Sequence, residues 1–318
     1  MKIGIYGTGV FALALSSILT DNKHSVTLYT KFKEEKDELI KNKGSKRLPK
    51  YKINEKIKIT NDLDEMTKDK DFLIIALPVP FIEDVLKKSN LKDASDILIA
   101  SKGITKDKLL VSELVKKYTS GSTGVISGPT FASDVVTKKP LSFTVGVESD
   151  DFKSKINLAF KNDYVKLEYK KDIEIIELLG SIKNVYAIIS GMLDGLGATT
   201  STKSLFMTEA IKEEEKISDN FGGLRDDAIS FAGVGDLILT CGSTESRNYS
   251  FGKIIGEKGI NAAKNYLKEN TVEGYDTINN IAELVLYGKI ESKLMENLIN
   301  ILNGVCQPER IIETLMTN

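Results

Sequence analysis

A glycine-rich turn near the start of the chain constrains the fold more than any other feature. The residues Gly7-Thr8-Gly9-Val10-Phe11-Ala12 follow an apolar strand pattern at 2–6 and begin a helical pattern over 10–20. In such a strand, turn and helix, the first glycine permits the tight turn and the second lets a pyrophosphate approach the backbone. The free N–H groups of the helix N-terminus then face the phosphates. The pattern predicts a dinucleotide-binding site that includes Gly7, Gly9, Val10 and Phe11.

The alternation of strands and helices predicts the fold class. Further short apolar strand patterns lie at 25–29, 72–78, 97–100, 125–127 and 142–147, with helical patterns between them. Strands that are apolar on both faces indicate a parallel sheet covered by helices. From about residue 170 the strand signal ends, and apolar residues recur at helical spacing from Ile175 to Met192. We therefore expect a doubly wound α/β domain of Rossmann type over 1–178 and an all-α domain over 179–318.

Composition excludes several classes of protein. The chain has 318 residues, with 44 Lys and Arg against 45 Asp and Glu, a net charge of −1. A general nucleic-acid binder needs a basic excess, so this balance favours small-molecule chemistry.

The segment 31–58 is locally basic. It is either a solvent-exposed stretch after the second strand pattern or the rim of a site that attracts an anionic ligand. The sequence shows no apolar run of membrane-spanning length and no room for a signal peptide before the first strand, so we expect a cytoplasmic protein.

Histidine and cysteine contribute little to the expected chemistry. Cys241 and Cys306 are too few for a disulfide framework or a structural zinc site, so no metal site is expected. The single histidine, His24, lies in a polar turn before the second strand pattern, where we expect it to be solvated. An enzyme with this sequence would therefore use Lys, Asp, Glu, Tyr or Cys for proton transfer.

The end of the second strand bears on the choice of dinucleotide. An acidic residue there binds the ribose 2′-OH of NAD, whereas Arg or Lys can meet the 2′-phosphate of NADP. The sequence reads Tyr29-Thr30-Lys31-Phe32, with no acid at that point. Lys31 could face a phosphate or could equally be solvated. The pattern favours NADP or dual use slightly and leaves NAD open.

Several further segments contain many small and polar residues. They are Ala100-Ser101-Lys102-Gly103-Ile104, Ser127-Gly128-Pro129-Thr130-Phe131-Ala132, Ile182-Lys183-Asn184-Val185, Ala232-Gly233-Val234-Gly235-Asp236-Leu237, Ser246-Arg247-Asn248 and Val272-Glu273-Gly274. Together with the glycine-rich turn, their order and spacing resemble the NAD(P)-dependent glycerol-3-phosphate dehydrogenases over nearly the whole chain. The resemblance implies reversible reduction of dihydroxyacetone phosphate to sn-glycerol 3-phosphate, which supplies the glycerophospholipid backbone. It also implies NAD(H) or NADP(H) as cofactor, a helical domain like that of 6-phosphogluconate dehydrogenase, and a homodimer, although the sequence does not determine the oligomeric state.

The same resemblance implies the roles of individual residues. Lys183 would be the proton donor or acceptor at the substrate oxygen, supported by Asn184, Asp236 and Thr240. Residues implied to bind the substrate are Lys102, Gly128, Thr130, Ser246, Arg247 and Asn248. Residues implied to bind the cofactor, besides the glycine-rich turn and Lys31, are Lys102, Ala132, Arg247 and Glu273.

Considered without the resemblance, these residues also have ordinary structural explanations. A helical lysine such as Lys183 is usually solvated, but burial beside other cations would lower its pKa and suit it to acid/base catalysis. Lys102 could belong to a simple turn at a strand end. Asp236 could cap the next helix or orient Lys183. Arg247 has a planar fork suited to phosphate, although an arginine in such a loop is more often structural.

The sequence also departs from the family pattern and leaves rival functions open. Val10-Phe11 replaces the common Ser-Trp, Thr199 and Ser201 replace a glycine and an asparagine, and Glu209 replaces an arginine.

Rival enzymes with this architecture are a ketopantoate reductase, which lacks a Ser-Arg-Asn loop, and a hydroxyacyl-CoA dehydrogenase, which needs a His/Glu pair. A non-catalytic dinucleotide sensor is the alternative from another class.

Overall fold

Strands that are apolar on both faces form the centre of the sheet. The structure is a computed structural model, and it describes residues 1–89, 91 and 95–317. The strands follow the order β3-β2-β1-β4-β5-β6-β7-β8, and β1 to β6 are mutually parallel. Their bounds are β1 Lys2–Tyr6, β2 Ser25–Tyr29, β3 Ile57–Thr60, β4 Phe72–Ile75, β5 Ile97–Ile99, β6 Thr123–Ser127, β7 Leu141–Val147 and β8 Val165–Lys170. The order of the first six strands is that of the dinucleotide-binding fold, with its switch point between β1 and β4.

The chain divides into two units. The sheet unit comprises Met1–Ser101 and Val111–Glu174, and the helical unit comprises Lys102–Leu110 and Ile175–Asn318. The helices of the sheet unit are α1 Val10–Asp21, α2 Lys33–Asn42, α3 Leu63–Thr67, the 3₁₀ turn Val79–Phe81, α4 Ile82–Lys88, α5 Val111–Val115, α6 Ala132–Val136 and α7 Asp150–Phe160. The predicted fold class is confirmed, while the predicted domain boundary after residue 178 stays a prediction.

The helical unit is built around one long helix. Its helices are α8 Ile173–Gly195, α9 Thr200–Asn220, α10 Arg225–Ala228, the π-helical turn Phe231–Gly235, α11 Asp236–Cys241, α12 Arg247–Tyr266, α13 Glu273–Leu286, α14 Lys293–Leu302 and α15 Arg310–Leu315. By length and composition α8 could cross a membrane, but its apolar stretch is entirely buried in the protein. Gly252 lets α12 approach α8 closely, because a Cβ there would overlap the carbonyl of Ile188.

Three details of the sheet differ from expectation. The strands β3 and β8 were not predicted; both alternate apolar and polar residues, the pattern of a half-buried strand, within highly charged stretches. The sheet is not wholly parallel, since β7 runs antiparallel to β6. An apolar strand pattern carries no information on strand direction, so this difference could not be read from the residues.

The expectation that His24 is solvated is wrong. His24 is 7% exposed, with Nδ1 3.2 Å from the N-terminal amine of Met1 and Nε2 3.1 Å from the carbonyl oxygen of Leu158. Burial lowers the pKa of its imidazole. The histidine thus joins the chain start to the end of α7 and is structural. In the basic segment 31–58, by contrast, most cationic side chains are exposed, as the solvated interpretation expects.

Candidate functional site

The glycine-rich turn of the sheet unit has the geometry of a phosphate cradle. Gly7 has φ +122°, and a Cβ there would lie 2.5 Å from the carbonyl oxygen of Ala76. A Cβ at Gly9 would meet nothing within 4 Å, so the backbone is open to a ligand. Gly9 is the N-cap of α1 and provides no side-chain cap, and the first turn of α1 holds no acidic residue. The amide of Gly7 donates to the carbonyl of Tyr29 at 2.9 Å, whereas the N–H groups of the first turn of α1 have no partner within the helix. Those N–H groups suit a pyrophosphate, and the residues fit a dinucleotide.

The two departures within the turn have a structural explanation. Val10 and Phe11 are partly buried and pack against the hydrophobic core of the sheet unit. They fasten the start of α1 by apolar contact. Neither side chain has a hydroxyl that could bind a phosphate, so these two residues can hydrogen-bond a ligand through their backbone alone.

The end of β2 holds a carboxylate that the local sequence does not reveal. Glu35 lies in the first turn of α2, and its Oε2 accepts hydrogen bonds from Thr8 Oγ1 at 2.8 Å and Thr30 Oγ1 at 2.6 Å. Lys31 is exposed, and its ammonium lies 5.0 Å from the ring centre of Phe32 and 4.8 Å from that of Phe81. The strand end therefore presents both a cation and an anion.

The segment after β6 holds the other predicted ligand-binding residues of the sheet unit. A Cβ at Gly128 would lie 2.5 Å from the carbonyl oxygen of Ser142, so the position requires glycine. The amide of Thr130 donates to the carbonyl of Gly128 at 2.9 Å, which forms a tight turn. Ala132 then begins α6. These residues lie at the carboxyl end of a strand, where open α/β sheets bind ligands, and their predicted roles stay predictions.

In the helical unit, Lys183 on α8 forms a buried ion pair with Asp236. The Nζ of Lys183 lies 2.6 Å from Asp236 Oδ1 and 2.6 Å from Thr240 Oγ1. Lys183 is 6% exposed and Asp236 1% exposed. The hydroxyl of Thr240 donates to the backbone carbonyl of Asp236 at 2.7 Å, so it accepts from the lysine. An ammonium has three donors, and these two contacts leave one for a ligand.

Lys102 provides a second cation on the same carboxylate. Its ammonium pairs with Asp236 Oδ2, so that each oxygen of the carboxylate holds one lysine. The next residue is fixed to α8, because the amide of Gly103 donates to Ser181 Oγ at 2.8 Å. The amide group of Asn280 on α13 donates to the carbonyl of Ile104 at 2.7 Å. The segment that carries Lys102 is thus anchored to α8 and to α13 within the helical unit.

The environment changes the acidity of this buried cluster. Burial lowers the pKa of Lys183, Asp236 opposes that change, and the like charge of Lys102 lowers it further, to about 8. Burial alone would raise the pKa of Asp236, but the charges of Lys102 and Lys183 outweigh it and hold that pKa below its ordinary value. A lysine whose pKa lies near neutral pH can both donate and accept a proton, which is the requirement for acid/base catalysis.

Asparagine side chains connect α8 to the starts of α12 and α13. Asn184 Nδ2 lies 3.2 Å from Glu273 Oε2, and Asn248 Nδ2 donates to Asn184 Oδ1 at 2.9 Å. Asn248 Oδ1 accepts from the amide of Gly274 at 2.8 Å. A Cβ at Gly274 would overlap the backbone of Asn184, so the glycine permits this close approach. Asn248, predicted to bind substrate, therefore has its amide oxygen and one donor engaged within the protein.

Arg247 begins α12 and is exposed. The preceding Ser246 is the N-cap, and its hydroxyl accepts from the amide of Tyr249 at 3.3 Å. No acidic residue lies in the first turn of this 20-residue helix. An exposed guanidinium beside an uncompensated helix N-terminus suits an anion. The geometry is compatible with the predicted phosphate-binding role of Ser246 and Arg247, which stays a prediction.

Sequence reasoning missed three groups near these residues. Glu35 lies within a run of charged residues, where no periodic signal separates it from its exposed neighbours. Ser181 precedes Lys183 by two positions and looks like an ordinary helical serine. Glu214 on α9 is 0% exposed, and neither carboxylate oxygen has a hydrogen-bond partner among the described residues. A charged residue in an amphipathic helix is normally assigned to the solvent face, so its burial had no sequence signal.

The remaining departures from the family pattern lie on α9. Thr199 is the N-cap of this helix and accepts from the amide of Thr202 at 3.3 Å. Ser201 is exposed in the first turn. Glu209 forms an ion pair of 2.8 Å with Lys212 on the same helix. Thr199 and Glu209 therefore have local roles in α9, whereas no structural explanation accounts for Ser201.

Comparisons with known proteins agree with this geometry. Models described as the N-terminus and C-terminus of NAD-dependent glycerol-3-phosphate dehydrogenase match residues 2–153 and 172–313. A glycerol-3-phosphate dehydrogenase (NAD(P)+) of Staphylococcus epidermidis is 32% identical over 325 residues, covering 99% of this chain and 97% of the relative. A protein of the same name from Thermoanaerobacter is 32% identical and covers 100% and 97%.

Solved structures give the same result. The crystal structure of glycerol-3-phosphate dehydrogenase from Coxiella burnetii has a TM-score of 0.93 and 25% identity, covering 100% of this chain and 99% of that one. A probable 2-dehydropantoate 2-reductase from Bacillus subtilis has a TM-score of 0.59 and 14% identity, over 96% and 100% of the two chains. The second likeness shows a shared fold alone.

Proposed function

Because the chain belongs to the family of NAD-dependent glycerol-3-phosphate dehydrogenases, we propose that it interconverts dihydroxyacetone phosphate and sn-glycerol 3-phosphate with Lys183 as the acid/base group. The observation that supports this role is the buried Lys183 held between Asp236 and Thr240, with a pKa lowered to about 8. A bound nicotinamide dinucleotide supplies or accepts the hydride. The tasks of the protein are to orient the substrate, to stabilise charge on its oxygen and to move the proton.

In the direction of reduction, protonated Lys183 donates a proton to the substrate C2 oxygen. Asp236 and Thr240 fix two of the three donors of the ammonium, so the third has a defined direction. Lys102 adds positive charge near the oxygen that becomes negative. In the direction of oxidation, the neutral amine of Lys183 accepts the hydroxyl proton. Asp236 remains ionised throughout, because its pKa lies below the ordinary value.

The substrate phosphate would bind at the start of α12. The Arg247 guanidinium can donate two parallel hydrogen bonds to phosphate oxygens, and the helix N-terminus favours negative charge. Asn184 and Asn248 would act by positioning, since their mutual hydrogen bond ties α8 to α12. In the sheet unit, the open backbone at Gly9 would hold the pyrophosphate of the dinucleotide, and Gly7 would permit the tight turn that presents it.

A spectrophotometric assay of the purified protein tests this function. We expect oxidation of NADH or NADPH that depends on added dihydroxyacetone phosphate, with the two dinucleotides run in parallel. A non-catalytic sensor would bind a dinucleotide and show no such oxidation, which would refute the proposal. Oxidation with ketopantoate in place of dihydroxyacetone phosphate would instead identify the rival reductase.

The cellular context and assembly belong to the same proposal. We propose that the product enters glycerophospholipid synthesis, that the chain acts as a homodimer in the cytoplasm, and that catalysis resides in a helical domain that starts near residue 179. Light scattering after gel filtration measures the oligomeric state, and a mass equal to one chain of 35.1 kDa would contradict the dimer. Complementation of a strain that requires glycerol 3-phosphate for growth tests the metabolic role.

A further inference from the structure

We propose that Glu35 makes the dinucleotide site selective for NAD(H) over NADP(H), by accepting from the adenosine ribose and repelling a 2′-phosphate. The proposal rests on the proposed dinucleotide-dependent function and adds to it a residue that determines specificity. The local sequence at the end of β2, Thr30-Lys31-Phe32, contains a cation and no acid. The tertiary structure supplies the acid from the next helix.

Two hydrogen bonds hold the Glu35 carboxylate at the place where a ribose diol is recognised in this fold. Thr8 lies between the two glycines of the phosphate turn, and Thr30 directly follows β2; both hydroxyls donate to Oε2 of Glu35. The carboxylate is thereby fixed between the pyrophosphate position and the strand end, the location at which an acid binds the ribose 2′-OH. Both of these hydrogen bonds end on Oε2, which leaves Oε1 as an acceptor.

The strand end that carries this carboxylate is itself well anchored. The carbonyl of Thr30 accepts from Asn61 Nδ2 at 2.6 Å, and the amide of Thr30 donates to the carbonyl of Thr60 at 3.1 Å. Thr30 is 5% exposed and Thr8 7% exposed. Because both hydroxyl donors are buried and fixed, the carboxylate cannot turn away without losing two hydrogen bonds. A 2′-phosphate placed beside it would meet a like charge.

Lys31, two residues after β2, has other contacts. Its ammonium lies over the rings of Phe32 and Phe81 at 5.0 and 4.8 Å, and both rings are about half exposed. The cation is therefore held against these two rings by cation–π contacts. Glu35, by contrast, contacts the phosphate turn directly through Thr8.

Direct binding measurements on the full chain test the proposal independently of catalysis. Dissociation constants for NADH and NADPH are measured by calorimetry for the wild type, Glu35→Gln, Lys31→Met and the control Glu34→Gln, an exposed neighbour in the same turn of α2. We expect the wild type to bind NADH at least about tenfold more tightly, since a like-charge contact costs more than a tenfold change in affinity. Glu35→Gln should reduce that ratio about tenfold, and the control Glu34→Gln should preserve it.

The proposal is overturned if the wild type binds NADPH as tightly as NADH, or if Glu35→Gln leaves the ratio unchanged. A selective loss of NADPH binding in Lys31→Met would assign discrimination to the lysine and would also overturn it. Thermal unfolding of Glu35→Gln with and without each dinucleotide gives a second readout and separates loss of folding from loss of selectivity. Selective NADH binding without reduction of dihydroxyacetone phosphate would count against the proposed reaction and leave this inference standing.

Discussion

Lys183 and Asp236 form an ion pair inside the helical unit, with Nζ and Oδ1 2.6 Å apart and both side chains buried. The pair joins α8 to α11 across 53 positions of sequence. A buried ion pair contributes little net stability, because desolvation of two charges offsets their attraction. Its effect on the acidity of Lys183 is therefore its more informative property.

Replacement of Lys183 by methionine should abolish proton transfer while keeping an apolar stem of similar length. We expect kcat for the reduction of dihydroxyacetone phosphate to fall at least about a hundredfold, the lower range for loss of an acid/base group. Lys212→Met serves as the control, because Lys212 is an exposed lysine on α9. Near wild-type turnover in Lys183→Met would exclude this lysine as the proton donor.

The pH dependence of the two reaction directions should be opposite. The pKa of Lys183 is lowered to about 8, and reduction needs its protonated form. We expect kcat/KM for reduction to fall above about pH 8, by about tenfold per pH unit, and kcat/KM for oxidation to rise through the same range. Lys102→Met removes a like charge that lowers the pKa of Lys183, so the fall of kcat/KM for reduction should move to higher pH. If the fall occurs at the same pH in Lys102→Met and in the wild type, the charge of Lys102 does not control the pKa of Lys183.

Glu214 should make the stability of the protein depend on pH. Burial raises the pKa of its carboxyl well above the ordinary value, and the charge of Asp236 raises it further, although Lys183 opposes. The folded state therefore keeps a proton that the unfolded state releases, so the free energy of unfolding falls as pH rises above about 4.5. Each pH unit in that window costs up to about 1.4 kcal/mol until the carboxyl ionises in the folded state.

The substitution Glu214→Gln removes this titration. Its free energy of unfolding relative to the wild type should increase between pH 5 and pH 8, as measured by urea unfolding. The partly exposed Glu215→Gln is the matched neighbour, and the Glu215–Arg225 ion pair that it removes should contribute little to stability. Parallel pH curves for wild type and Glu214→Gln would refute the prediction.

Substitution of Asn248 tests whether its side chain binds the substrate or positions other residues of the site. Asn248→Ala removes hydrogen bonds to Asn184 and to the amide of Gly274, and it should destabilise the protein by about 1 to 3 kcal/mol. A positioning role predicts a fall in kcat with little change in KM for dihydroxyacetone phosphate. A large rise in KM with unchanged kcat would instead support direct contact with the substrate.

The contact between α8 and α12 should be sensitive to a single methyl group. A Cβ at Gly252 would overlap the carbonyl of Ile188, and both backbones are part of long helices. Gly252→Ala should lower the free energy of unfolding by at least about 1 to 3 kcal/mol, as overpacking does. Asn261→Ala, at an exposed position of α12, should change stability little. Equal urea midpoints for the two variants would show that the helices separate easily.

Residue order alone determined the glycine-rich turn, the α/β class and the change to helical periodicity near residue 170, because each depends on neighbours within one or two turns of the chain. The resemblance in ordered motifs singled out Lys183, Asp236 and Arg247, and the comparisons confirmed the family. The strand direction of β7 and the burial of His24 could not be predicted from the sequence, because both depend on segments that are distant in sequence.

Only the tertiary structure decided which polar groups meet. Helical periodicity places Lys183 on a face of α8 but cannot say that Asp236 and Thr240 cover that face, or that Lys102 shares the same carboxylate. It equally cannot reveal that Glu35 turns back to Thr8 and Thr30, while Glu214 is buried without a partner among the described residues. The free energy of a charge depends on its solvation and its partners, and those are set by the packing of distant segments.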